Sequence, residues 1–505
     1  MLSYLSSPRA KRYLRVVVLV LGLLFLRSWQ YGFEAKTAEI DTRFKQTAAT
    51  GINMEAQFVF FLHHLGLFPL ATNAPIRADT KEEALRQLRE EVPSLKQDHG
   101  STFRAGGDRG RTYLYLVDVY LNGDAIKPRL QPAHMRAFTL ALCMLFTAFW
   151  WMRRSPQGFI LCLILGSNPF QLFVIHRQEN VFSWPITVMI LLLSINIPLM
   201  TPKLPKAAWY PTAAAIASGV AMAVVRTFRS EPTPMLLSVV LVYVTVTALS
   251  RVQRAKLVGI LAVAFTITSF GTVRFLDAKL ARSKATVAAA GGDAYTGPVV
   301  HNHLFWHPVF CGLGDFDKKY GYAWNDNVAY AYALPFLKQR HPHLDKLAPR
   351  AVQSWFYDAH GKYPILFEEV DGYNELIRDK VIADIRKDPG WYFDILKKRT
   401  WRILTETTPV GIATSSDRVQ LEGSALGVLC VPLAIFLALS RRWFMLKLLA
   451  FSLPLSIGAF MVFSGGGMAY YGCFHQFGAF IFGVLAFEGA RSWYRGRRRM
   501  ASSTG

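Results

Sequence analysis

The stretch SPRAKRYLRVVVLVLGLLFLRSWQ, residues 7–30, decides how the rest of the chain is read. A basic segment precedes a short apolar core, as in a signal peptide. No small-x-small cleavage site follows, and the next residues, through Tyr31 and Phe33, are bulky and aromatic. The pattern predicts a retained signal anchor with its basic end in the cytoplasm.

Outward from that anchor the same signal recurs. The 505 residues are 52% hydrophobic and 13% aromatic, which favours a membrane protein over a soluble enzyme. Runs such as FTLALCMLFTAFWW (138–151) and LLSVVLVYVTVTAL (236–249) carry no charge. Candidate spans fall at roughly 14–30, 136–152, 158–175, 183–200, 209–227, 234–250, 257–275, 424–440, 443–463 and 475–490. The expected fold is therefore an all-α polytopic membrane protein with about ten transmembrane helices and two long external loops that carry helices of their own.

Charge placement fixes the sidedness. A net charge of +23 on its own suits a nucleic-acid partner, but the cations sit at span ends. With the N-terminus in the cytoplasm, alternation puts RRSPQ (153–157), TPKLPK (201–206), SRVQRAK (250–256), SRRW (440–443) and the tail RSWYRGRRRM on that same side. The other side receives residues 31–135 and 276–423 and three short turns. Of the 34 Asp and Glu, thirteen lie in the first long loop and eighteen in the second. The other three are Glu179, Glu231 and Glu488, none deep in a span. A carboxylate at the bilayer centre costs about 2.5–3.5 kcal/mol on insertion scales, so this segregation is what correctly placed helices require. The division is 1–30 tail and anchor, 31–135 first external loop, 136–275 six-helix membrane region, 276–423 large external loop, 424–490 three-helix membrane region and 491–505 basic tail. Both termini are expected in the cytoplasm, in a bacterial inner membrane.

Each long loop is too large to be a simple connection. DTKEEALRQLREEVPSL in the first reads as an amphipathic helix with Ala84, Leu85, Leu88 and Val92 on its apolar face. YNELIRDKVIADIRKDPGWYFDILKKRTWRILTET (373–407) in the second reads as two amphipathic helices split at Asp388-Pro389-Gly390. The second of these is rich in Trp, Tyr, Lys and Arg, a composition suited to a membrane surface. KATVAAAGG (284–292) reads as a linker. Cys311 and Cys473 fall in external regions and are a candidate pair; the other cysteines lie in apolar runs as small core residues.

Polar residues with chemical capacity gather on the outer side. Asp108 sits in GGDRGRTYLYL, where glycines allow a tight turn around a carboxylate, although a lone acid there is also an ordinary turn residue. Glu179 lies in the short loop HRQENVF. Arg226, Arg229 and Glu231 lie in RTFRSEPTP, with Arg226 at a span end, suited either to snorkelling or to bidentate phosphate contact. HNHLFWHPVFCGLGDFDKKYGYAWND (301–326) is the densest polar-aromatic stretch. His301, His303 and His307 there have ligand-type side chains but match no zinc template, so no metal site is assigned and a divalent metal stays an open option. Trp306, Tyr320, Tyr322 and Trp324 read as stacking platforms or as packed loop core. His475 begins the last span on the outer side.

A long first external loop with an acid, a second acid after the third span, and an arginine with EPTP after the fifth resemble the GT-C superfamily of membrane glycosyltransferases, in a poorly characterised bacterial branch. That superfamily includes protein O-mannosyltransferases, oligosaccharyltransferases and the lipid A aminoarabinose transferase. The segments from Phe305 to Ala333 and from Asp384 to Leu404 also look like stretches of such bacterial proteins. The resemblance implies a sugar donor linked to a polyprenyl phosphate and a glycan, lipid or protein acceptor at the outer face. It implies Asp108 as base, with Glu34, Asp41 and Glu55 as rivals nearer the first span, and Glu179 as an orienting acid. Arg226, Arg229 and His475 would hold the lipid phosphate. Glu231, His301, His303, Trp306, His307 and Tyr320 would contact substrate. The chain has no P-loop or Rossmann fingerprint, so no nucleotide is expected. Two other readings stay open: an O-antigen ligase or polysaccharide polymerase in which HNHLFWH matters most, and a non-enzymatic envelope scaffold or transporter.

Overall fold

The computed structural model describes chiefly residues 10–30, 80–91, 132–152, 207–228, 235–246, 248–294, 305–345, 355–357, 364–366, 370–405, 410–413, 418–421 and 426–447, with single positions at 113, 233 and between 159 and 200. In chain order the helices are α1 (Arg12–Gln30), α2 (Lys81–Glu91), α3 (Pro132–Met152), α4 (Tyr210–Phe228), α5 (Met235–Val244), α6 (Arg251–Ala289), α7 (Trp306–Gly312), α8 (Asp326–Arg340), α9 (Tyr373–Lys387), α10 (Pro389–Thr405) and α11 (Leu426–Leu439). Two short antiparallel ladders interrupt them. β1 (Trp355–Tyr357) pairs with β2 (Pro364–Leu366), and β3 (Val410–Ala413) pairs with β4 (Arg418–Leu421). The described fold is thus helical, as expected, with two short ladders added.

Among the described residues, two helices are long and apolar enough to cross a membrane: α1 and α6. Only 11% of the apolar window of α6 is buried. A core helix of a soluble protein would bury such a face; here Val263, Ile267 and Phe270 point outward. The other expected spans fare differently. The 209–227 span corresponds to α4 and the 424–440 span to α11, whereas the 234–250 span contains only the ten-residue α5. The 158–175 and 183–200 spans are described at single positions, and 443–463 and 475–490 lie almost wholly outside the described residues.

The largest departure from expectation is α6. Its 39 residues continue well past position 275. At 1.5 Å per residue it is about 58 Å long, nearly twice a hydrocarbon core of about 30 Å. Ser250 and Gln253 close a reciprocal capping box at its start. Arg254 donates to the carbonyls of Val244 and Leu249, which ties that start to the end of α5. At the far end Gly291, with φ of 77°, donates to Ala288 O, and Gly292 donates to Val287 O. That is a glycine-terminated Schellman stop. KATVAAAGG is therefore the last turns of a helix and its cap, not a linker: alanine favours helix, and the glycine pair ends it.

Beside α6 runs α4. A Cβ on Gly219 would lie 2.6 Å from Leu261 O and 2.8 Å from the Ala264 Cβ, so only glycine permits this approach. Trp150, Leu192, Met222, Tyr243, Leu261 and Leu437 share the resulting apolar core, which joins α3, α4, α5, α6 and α11. Its buried polar groups pair with one another: Asn196 donates to Ser218 Oγ at 2.9 Å and to Leu192 O. The outer half of α6 has its own covered stripe, Leu276, Leu280, Ser283 and Val287. Near its base Tyr113, from the first long loop, donates to Thr272 O and stacks on Phe275.

A second core lies outside this bundle. Phe310, Leu313, Tyr322, Tyr330, Ile377 and Ile395 bring α7, α8, α9 and α10 together. The chain between α7 and α8 doubles back so tightly that a Cβ on Gly314 would sit 2.2 Å from the Ala323 Cα. Gly219→Val is expected to lower stability by about 1–3 kcal/mol through overpacking, read as a lower melting temperature of the detergent-solubilised protein. An unchanged melting temperature would contradict the α4–α6 packing.

Candidate functional site

The outer core is organised by the aspartates of GDFDKKYGYAWND. Asp315 is buried and accepts from Arg399 Nε at 2.9 Å and Arg402 Nη2 at 3.2 Å, both on α10. Burial pulls the Arg399 guanidinium below its usual value, which Asp315 partly offsets. An arginine starts so high that it stays charged. Asp317 accepts from the Trp391 indole N–H at 3.3 Å. Asp388 ends α9 and caps α10, accepting from Trp391 N at 3.0 Å, with Pro389 in the first helical position. Its other oxygen takes Lys319 Nζ at 2.6 Å and the Tyr320 hydroxyl at 3.3 Å. The Lys319 hydrogen bond, helped by the Trp391 N–H, holds the Asp388 carboxyl below its ordinary value.

A different cluster carries the reactive side chains. His307 and Cys311 lie one turn apart on the same face of α7. Asp326 opens α8, whose cap is the Asn325 side chain. Cys311 Sγ is 3.7 Å from His307 Nε2, and Asp326 Oδ1 is 3.1 Å from the same nitrogen and 3.9 Å from the sulfur. The opposite ring nitrogen, Nδ1, is 2.6 Å from the Tyr373 hydroxyl at the start of α9. Tyr330 of α8 stacks on the imidazole with centroids 5.1 Å apart. His307 and Cys311 are 2% and 3% exposed, whereas the Asp326 side chain is 58% exposed. The result is a buried imidazole and thiol with one carboxylate at the rim. Among the described residues this is the group of nitrogen, sulfur and oxygen ligand atoms close enough to hold a metal ion.

The sequence candidates are distributed unevenly. Trp306 and His307 lie on α7, and Tyr320 packs beside the same core. Tyr320 has a left-handed φ of 58° and sets its ring edge-on to Trp391, with Lys319 and Lys387 near its face. Tyr322 is fully buried and donates to Asp384 at 2.9 Å; burial, then that carboxylate, pushes its phenol up. It is a core residue, not a stacking platform. Trp324 is exposed. Arg226 lies in the last turn of α4, exposed, with its guanidinium 6.0 Å from the Phe265 ring centre on α6. Asp108, Glu179, Arg229, Glu231, His301, His303 and His475 lie outside the described residues, as do Glu34, Asp41, Glu55 and Cys473.

Cys311 and Asp326 were missing from the sequence candidates as site residues. The i, i+4 spacing of His307 and Cys311 was a visible signal of a shared helix face. Asp326 reaches the site only through the chain reversal at Gly314.

No protein-family model matches this chain, and no curated protein and no solved structure matches it either.

Two outcomes follow. Removing one partner of a buried ion pair strands the other, so Asp315→Ala is expected to cost about 3–5 kcal/mol in equilibrium unfolding; a loss below 1 kcal/mol would place the pair at the surface. Asp388→Asn keeps the cap but not the charge. Because the folded value is lowered, the charge stabilises above the ordinary carboxylate range and that contribution fades as pH falls through it. The stability gap between wild type and Asp388→Asn is therefore expected to be widest near neutral pH and to close below about pH 4. A gap independent of pH would contradict the Lys319 contact.

Proposed function

We propose that the protein is a membrane glycosyltransferase of the GT-C type that moves a sugar from a polyprenyl-phosphate donor to a glycan, lipid or protein acceptor on the extracytoplasmic face of a bacterial inner membrane. The observation that carries this reading is the placement of α10. It buries Trp391, Ile395 and Arg399 in the outer core and exposes Phe393 (68%) and Trp401 (60%). Its neighbours include α11 of the membrane-side bundle. A helix with exposed aromatics and the cations Lys397 and Lys398 suits the headgroup layer. The outer core then lies where a lipid-anchored sugar phosphate presents its reactive bond.

The chemistry asks for little beyond that placement. The acceptor hydroxyl attacks the anomeric carbon, the bond from that carbon to the phosphate oxygen breaks, and the lipid phosphate departs with the electron pair. Asp108 takes the hydroxyl proton, and Glu179 orients the acceptor. Arg226 at the outer end of α4, with Arg229 beyond it, offsets the charge that builds on the leaving phosphate. His475 is a further phosphate contact, and Glu231, His301, His303, Trp306, His307 and Tyr320 are assigned to substrate. The resemblance in sequence, together with the segregation of acids to one side, supports this assignment of roles.

The test uses right-side-out membrane vesicles containing the protein and a panel of radiolabelled polyprenyl-phosphate sugars. Asp108→Asn is expected to lower turnover by about 10²–10⁴-fold. Arg226→Ala is expected to weaken donor use by about tenfold or more, the scale of a charged hydrogen bond. Turnover that survives Asp108→Asn but is lost with His303→Ala would favour the ligase reading. Absence of transfer from every donor would contradict the proposal.

A further inference from the structure

We propose that His307, Cys311 and Asp326 supply three ligands of a binding site for a divalent transition metal, zinc above all. This assignment is independent of the glycosyl-transfer reading.

The first argument is geometric. Zinc bonds of about 2.0–2.1 Å to nitrogen and oxygen and about 2.3 Å to sulfur, at tetrahedral angles, set the ligand atoms about 3.3–3.6 Å apart. The observed separations are 3.1 Å for Nε2 to Oδ1, 3.7 Å for Sγ to Nε2 and 3.9 Å for Sγ to Oδ1. Three ligand atoms thus already stand at nearly the edges of a zinc tetrahedron, with shifts of a few tenths of an ångström needed at sulfur. The sequence could not display this triangle, because two corners come from one helical turn and the third from the next helix.

The second argument is the surround of the imidazole. A metal-bound histidine almost always gives its other ring N–H to an oxygen acceptor, which fixes the tautomer and the ring. Tyr373 places its hydroxyl 2.6 Å from Nδ1, and Tyr330 stacks on the ring face. Nε2 is therefore the nitrogen turned toward Cys311 and Asp326.

The third argument concerns access and the type of metal. His307 and Cys311 are almost fully enclosed, and the exposed Asp326 carboxylate leaves the group reachable from solvent. Thiolate with imidazole selects zinc over magnesium or calcium, which take oxygen ligands. A nucleophilic role for Cys311 fits less well, since its sulfur is enclosed and 3.7 Å from the nearest base nitrogen.

The experiment uses the full chain, purified in detergent, stripped with a chelator and reloaded with zinc. About one zinc per chain is expected to survive dialysis. Zinc is expected to protect Cys311 from alkylation, read by peptide mass analysis. Cobalt in its place is expected to show thiolate-to-metal charge transfer that Cys311→Ser abolishes. Asp326→Asn, at an exposed position, is expected to weaken zinc affinity at least tenfold without changing the metal-free melting temperature, and Tyr373→Phe to weaken it by about 10–100-fold by removing the hydroxyl that holds the His307 ring. The proposal is overturned if no zinc is retained. It is equally overturned if Asp326→Asn binds zinc as well as wild type, or if zinc leaves the alkylation of Cys311 unchanged. Because each readout is binding rather than turnover, a failed transferase assay would leave these results standing, and the converse holds.

Discussion

A carboxylate cannot be left unpaired in an apolar interior, and the outer half of this protein is built around that constraint. Four aspartates in and around the 315–326 reversal each meet a donor from another element. Asp315 meets Arg399 and Arg402, Asp317 the Trp391 indole, Asp388 Lys319, and Asp384 Tyr322 and Lys380. These pairings fix α9 and α10 against the reversal. Apolar contact alone would let those helices slide. The directional donors at Arg399 and Trp391 do not.

The same constraint shapes the other half by exclusion. In lipid every backbone polar group must be satisfied within its own helix. The acids are absent from the apolar runs, and the long helix α6 continues for 39 residues without interruption. Tyr113 reaches α6 near its middle, at Thr272 and Phe275, and the helix carries a covered stripe beyond residue 275. The helix thus combines an apolar, exposed stretch with a C-terminal stretch that carries a covered stripe.

What the sequence showed, it showed through local chemistry. The α2 helix follows from its apolar spacing, and the break at Asp388-Pro389 follows from a capping acid before proline. Features set by contacts between distant residues were hidden. The alanines at 288–290 looked like linker because composition says nothing of what packs on a helix. Tyr322 looked like a binding platform because its neighbours in sequence are polar, while its neighbours in space are Phe310, Trp391 and Lys380. The strands β1–β4 are too short to produce a period. The His307–Cys311–Asp326 triangle needed the reversal at Gly314, a tertiary event, to bring its third corner home.

The central claim is that α6 crosses the membrane and delivers the outer core to the far side. The most direct measurement is cysteine labelling in intact cells with a membrane-impermeant maleimide, in a chain whose native cysteines are replaced by alanine. Single cysteines would replace Arg282 on the outer half of α6, Gln339 at the end of α8, and Ser440 just past α11, all exposed positions. The account predicts labelling at 282 and 339 in intact cells, and at 440 only after the membrane is opened. Labelling of 440 but not 339 in intact cells would reverse the sidedness and contradict it.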